Sequence, residues 1–133
     1  MSTSAIVEFK GNGDRVQIYV HSDGYPEGMI PLLKEFLKWN HARNDDVSYT
    51  AANFIYWYKK EALKRTRQYT HIGSSEWGHS KTSRRGFVLQ VEQTGVAILP
   101  LMNKKEMHRN YIDYFYEVRI HESAAPEIKE VIT

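Results

Sequence analysis

The first elements follow from how apolar and polar positions alternate near the N-terminus. Ala5–Lys10 carries Ile6, Val7 and Phe9 with charged residues between and after them. Arg15–Val20 places Val16, Ile18 and Val20 on one side and Gln17 and Tyr19 on the other. A period of two is that of a half-buried strand. Between the runs stands Gly11-Asn12-Gly13-Asp14. Asn-Gly favours a type I′ turn, whose two central residues both need positive φ. The segment predicts a β-hairpin.

The period then lengthens. Leu32, Leu33, Phe36 and Leu37, with Met29, fall at helical spacing between Pro26 and Asn40. Pro31 complicates the start, since inside a helix it costs a hydrogen bond. Either the first turn is irregular or the regular helix begins at Pro31, where proline is favoured. Past a polar stretch, Val47, Ala51, Phe54 or Ile55, Tyr58 and Ala62 predict a second helix from about Ser48 to Arg67. Asp45, Asp46 and Ser48 are its candidate caps.

Tyr69–Arg85 has no period, contains Gly73 and Gly78, and is longer than most connecting loops. Gly86–Gln93 alternates, Thr94-Gly95 reads as a turn, and Val96–Leu99 is a short strand stopped by Pro100. Leu101–Asn110 reads as a charged connection. Tyr111–His121 predicts a strand with Ile112, Tyr114, Tyr116, Val118 and Ile120 toward the core and Tyr111, Asp113, Phe115, Glu117 and Arg119 on the other side. Ser123–Thr133 is a tail or an edge element, because Pro126 argues against a central strand. The order β-β-α-α-loop-β-β-β predicts an α+β fold over a single domain, 1–133. Its sheet is mostly antiparallel, of about five strands, with two helices packed on one face.

Composition narrows the chemistry. The chain has no cysteine, which removes disulfides, thiolate nucleophiles and Cys-ligated zinc. No apolar run has the length of a membrane span, and the N-terminus lacks a signal-peptide pattern, so a cytoplasmic location is expected, with no membrane partner. The net charge is only +2, but it is unevenly spread. Lys59–Arg85 holds eight Lys/Arg and two acids, while the remainder holds ten Lys/Arg and fourteen acids. Such asymmetry marks candidate contact with an anionic partner. Trp57, Tyr58, Tyr69 and Trp77 interleave with these cations, and single-stranded nucleic acids and nucleotides are bound by cations plus stacking surface. A solvated basic face, with cations suited to the dipole at a helix C-terminus, is the competing account.

His21-Ser22-Asp23-Gly24-Tyr25-Pro26-Glu27-Gly28 joins the hairpin to the first helix. Its glycines and proline suit a rigid turn, and Asp23 can bond its own backbone. His21 and Asp23 share a face if the strand persists that far, and with Tyr25 they would form the lip of a cleft. Imidazole and carboxylate can also bind a metal or move protons, so His21, Asp23, His71 and His79 are candidates for a metal or acid–base site, and a metal-dependent hydrolase or nuclease using His21 and Asp23 is the alternative function. The spacing of His71 and His79 matches no known ligand pattern. Gly78-His79-Ser80-Lys81-Thr82 is not a P-loop, because Ser75 and Ser80 stand where that motif requires glycine. A looser anion site from Lys81, Ser83, Arg84 and Arg85 remains.

The His21–Gly28 block, followed by Ile30-Pro31-Leu32-Leu33, resembles an H-x-D-G-Y-P-E-G block in a family of small proteins of bacteria and their phages. Ala51-Ala52-Asn53-Phe54-Ile55 and Asp113-Tyr114-Phe115-Tyr116-Glu117-Val118 are similar to that family's downstream segments, more loosely. Together these stretches touch under half of the chain. The resemblance implies a small cytoplasmic domain, phage- or prophage-encoded, and carries no activity or catalytic residue with it. The expectation is a binding protein without catalysis or cofactor. Its ligand set is His21, Asp23, Tyr25, His71, Trp77, His79, Lys81, Arg84 and Arg85, and its partner a nucleotide, a nucleic acid or a host protein. Homo-oligomerisation through the tyrosine-rich last strand is a third reading.

Overall fold

The hairpin forms as its pattern dictates. Strand β1 (Ala5–Gly11) pairs antiparallel with β2 (Asp14–Val20), and Asn12 and Gly13 supply the two positive φ values, 50° and 86°. The computed structural model describes residues 3–21, 23–72, 95–121 and 124–131, with the backbone alone at 63, 65–72, 104 and 108. The chain divides into two compact units, residues 1–55 with 95–133, and residues 56–94.

The first unit is built on a five-stranded sheet. Strands β3 (Val96–Leu99), β4 (Tyr114–Arg119) and β5 (Glu127–Val131) join the hairpin in the order β3-β2-β1-β4-β5. Three pairings are antiparallel; β4 lies parallel to β1 in the centre. The fold is thus α+β with a mostly antiparallel sheet. The predicted strand Gly86–Gln93 lies outside the described residues. The last segment is an edge strand that begins just after Pro126, the place a sheet allows proline.

Helix α1 spans Pro26–Trp39 with Pro31 inside it. The regular helix therefore begins at Pro26 rather than at Pro31. Proline costs an interior helix about 3 kcal/mol. Burial of Met29, Leu33, Phe36 and Leu37 outweighs that, at roughly 1.5–3 kcal/mol for each large apolar side chain. Helix α2 spans Val47–Ile72, outlasting its apolar period at the C-terminal end. Asp46 caps it, its Oδ1 accepting the Tyr49 N–H at 2.9 Å.

One sheet face carries Ala5, Val7, Phe9, Ile18, Val20, Tyr116 and Val118, all buried. Phe9 meets Phe36 of α1 and Phe54 of α2 with ring centroids 6.0 and 5.4 Å apart, and those two rings lie 5.1 Å from each other. Between the helices runs a one-turn 3-10 helix, His41–Arg43. Buried Asn40 ties the connection together, donating to Asn44 Oδ1 and Thr50 Oγ1 and accepting from Asn53 Nδ2.

The other sheet face is covered in part by a helix where a charged connection was expected, α3 (Lys104–Arg109). Its start is a capping box: Asn103 Oδ1 accepts the Glu106 N–H at 2.9 Å, and Glu106 Oε1 lies 3.4 Å from the Asn103 nitrogen. Its end is a Schellman turn, with Ile112 N–H donating to Met107 O and Tyr111 at φ 58° in the position glycine usually takes. That turn breaks the predicted alternation. The strand starts at Tyr114, not Tyr111, and Ile112 packs with Met107, Ile6 and Phe115 on the α3 side rather than on the α1 and α2 side. Phe115 keeps the face its spacing assigns, opposite Tyr116, and is buried there because it packs with Ile6 and Met107 of α3.

Candidate functional site

The α3-side face of the sheet is only half apolar. Ile6, Glu8 and Lys10 alternate onto it from β1, Arg15 and Gln17 from β2, and Phe115, Glu117 and Arg119 from β4. The register sets Gln17, Glu8, Glu117 and Lys129 side by side in one row across four strands. The next row is Arg15, Lys10, Arg119 and Glu127. Glu8 and Glu117 lie side by side in the first row and Arg15, Lys10 and Arg119 in the second, and each row ends at β5 in an opposite charge, Lys129 and Glu127.

Glu8 is the centre of this arrangement, with its side chain 3% exposed. Its Oε1 accepts from Arg15 Nε at 3.1 Å, Arg15 Nη2 at 2.9 Å and Gln17 Nε2 at 3.1 Å. Lys10 Nζ donates to Glu117 Oε1 at 3.2 Å and stands 4.0 Å from Glu8 Oε2. A buried carboxylate is tolerated only with partners of this kind. Gln17, fully buried, uses both ends of its amide on the backbone of Met102, accepting its N–H at 2.7 Å and donating to its carbonyl at 3.2 Å. This fixes the chain ahead of α3 against the sheet.

These residues line a pocket of about 310 Å³. Its polar floor is Glu8, Lys10, Arg15, Gln17 and Glu117, and its apolar wall is Met102, Met107, Phe115 and Val131. Sequence patterning missed this site. It treats the polar half of an alternating strand as solvent-facing, and α3, which converts that half into a pocket, contains a single apolar residue, Met107. The available signal was the concentration of Glu8, Lys10, Arg15, Gln17 and Glu117 at alternate positions of adjoining strands.

The His21–Gly28 block takes a different part. Strand β2 ends at Val20, and Asp23 has φ 59°, so His21 and Asp23 do not share a strand face as expected had the strand continued. Both are exposed. The His21 N–H donates to Gly95 O at 2.7 Å, and its Nδ1 lies 2.7 Å from Tyr19 Oη. Gly24 is buried and backbone-anchored: its N–H donates to Thr3 O at 2.8 Å, and its carbonyl accepts the Tyr116 hydroxyl at 2.6 Å. A Cβ there would lie 2.8 Å from Ala5 Cβ and from Thr3 O. Tyr25, partly exposed, stands at the cap position of α1. The block docks the start of α1 onto β1 and β4. Burial holds the Tyr116 hydroxyl well above the ordinary tyrosine value, with Glu130, Tyr114 and Glu27 adding to the shift.

Of the other predicted ligands, His71 falls in the last turn of α2, where only the backbone is described. Trp77, His79, Lys81, Arg84 and Arg85 lie outside the described residues. Among the described residues no group of three or more His, Asp or Glu is arranged to hold a metal ion. No helix of the described residues is long and apolar enough to cross a membrane.

In the second unit, α2 presents Lys59, Lys60 and Lys64 within two turns. Lys60 Nζ stands 5.8 Å from the Tyr56 ring centroid, and Lys64 pairs with Glu61 at 3.5 Å. Tyr56 is 59% exposed, whereas Trp57, predicted as a stacking surface, is 5% exposed. No family model matches this chain, and neither a curated protein nor a solved structure matches it.

Proposed function

We propose that the protein is a binding protein without catalysis, and that its partner is a single-stranded nucleic acid contacted through the basic stretch Lys59–Arg85. The observation that carries this is the length of α2. The dipole account of these cations needs them in the last helical turn, where that field acts. The helix runs to Ile72, so Lys59, Lys60 and Lys64 lie two or more turns before its end. The dipole therefore does not explain their clustering. Phosphate neutralisation does, and exposed Tyr56 beside Lys60 supplies the stacking surface such sites use.

The test is fluorescence anisotropy with a labelled single-stranded oligonucleotide. The combined variant Lys59→Gln, Lys60→Gln, Lys64→Gln should bind at least tenfold more weakly, and Lys81→Ala, Arg84→Ala, Arg85→Ala should weaken binding likewise. Equal affinity of the wild type and both variants would overturn the proposal.

A further inference from the structure

The pocket beside α3 carries an inference independent of the basic stretch. Its four charged floor residues are two cations, Lys10 and Arg15, and two carboxylates, Glu8 and Glu117. Their mutual bonds do not use up their capacity. Arg15 commits Nε and Nη2 to Glu8. Among the described residues Arg15 Nη1 has no partner. Lys10 Nζ spends one of its three protons on Glu117 Oε1, whose companion Oε2 likewise has no partner among the described residues. Both cations and Glu117 retain solvent exposure, with side chains 24%, 50% and 20% exposed for Lys10, Arg15 and Glu117.

The charge balance selects the ligand. A simple anion drawn to Lys10 and Arg15 would also face Glu8 and Glu117. A simple cation would meet the reverse penalty. A ligand bearing both signs meets neither. Beside Gln17 and Asn103, the rest of the lining is apolar, and two of those apolar residues are methionines, whose unbranched thioethers adapt to differing apolar shapes. A volume of about 310 Å³ is at the small end of ligand pockets.

We propose that this pocket binds a small zwitterion with an apolar side chain, of the apolar α-amino-acid class. The carboxylate lies on Arg15 Nη1 and Lys10 Nζ, the ammonium on Glu117 Oε2, and the side chain against Met102, Met107 and Phe115.

L-leucine is the probe, followed by the methyl resonances of Met102 and Met107 in the full chain. Two comparators each remove one charge: 3-methylbutylamine lacks the carboxylate and 4-methylpentanoate lacks the ammonium. Leucine should give saturable shifts, and each comparator should bind at least tenfold more weakly. Glu117→Gln, which keeps the side chain's size, should weaken leucine about tenfold and should not weaken 4-methylpentanoate, which loses a like-charge neighbour. The absence of saturable shifts with leucine at millimolar concentration would overturn the proposal. So would a comparator that binds as well as leucine, because it would assign the pocket to a singly charged ligand. The comparators need no variant, so that arm stands even if Glu117→Gln perturbs the fold.

Discussion

Replacing Tyr116 by Phe removes one oxygen from the centre of the first unit. That hydroxyl is fully buried and donates at 2.6 Å to the carbonyl of Gly24, which is itself buried. The variant keeps the ring and its packing but strands the carbonyl, and an unsatisfied buried acceptor costs about 1–3 kcal/mol. Urea unfolding reads the loss directly. With a denaturant slope of about 2 kcal/mol per molar, the midpoint should fall by roughly 0.5–1.5 M at neutral pH. Alkaline pH supplies a second signature with a definite sign. The folded chain holds the Tyr116 proton to a higher pH than the unfolded chain does. The stability this contributes is complete below the ordinary tyrosine value of about 10 and is lost as pH rises from there toward the raised folded value. The Phe variant has no such group. Its deficit against the wild type should therefore shrink above about pH 10, at up to roughly 1.4 kcal/mol per pH unit. A midpoint unchanged at neutral pH would refute the claim that this bond anchors the His21–Gly28 block. A deficit that does not shrink with pH would refute the account of the buried hydroxyl.

Three further changes test other joints of the fold. Gln17→Ala should strip hydrogen-exchange protection from the Met102 amide, whose acceptor is the Gln17 side chain, and cost about 1–3 kcal/mol in urea unfolding. Asp46→Ala removes the cap of α2 and should lower stability by about 1 kcal/mol, with Asp46→Asn recovering most of it. Gly24→Ala should cost about 1–3 kcal/mol in thermal or urea unfolding, because the added Cβ would press on Ala5 Cβ and the Thr3 carbonyl at 2.8 Å.

The elements legible in the sequence were those whose pattern is local. Asn12-Gly13 specified the hairpin turn, and the spacing of Leu33, Phe36 and Leu37 specified the buried face of α1. Asp46 was among the expected caps. What escaped depends on partners distant in the chain or on polar geometry. Helix α3 is held by the Asn103–Glu106 box and has one buried apolar residue, so no period announces it. The parallel placement of β4 beside β1 is a long-range pairing that no local pattern encodes. Tyr111 in a left-handed turn shifted the start of β4 and moved Ile112 to the other core. The pocket shared by Glu8, Lys10, Arg15, Gln17 and Glu117 exists only once three strands and α3 meet. In the His21–Gly28 block, turn chemistry was readable, but the docking of Gly24 on Thr3 and Tyr116 was not. That docking places the block's structural weight on a glycine backbone, while His21 and Asp23 stay exposed beside it.

Neutralisation of phosphates by the cations of Lys59–Arg85 has a direct readout in the salt dependence of single-strand binding. Each neutralised phosphate contributes about −0.7 to the slope of log affinity against log salt. The wild type should show a steep negative slope. The Lys59→Gln, Lys60→Gln, Lys64→Gln variant should show one shallower by about 2, as three lost contacts require. Binding that is absent at low salt, or a slope the triple variant leaves unchanged, would contradict the claim.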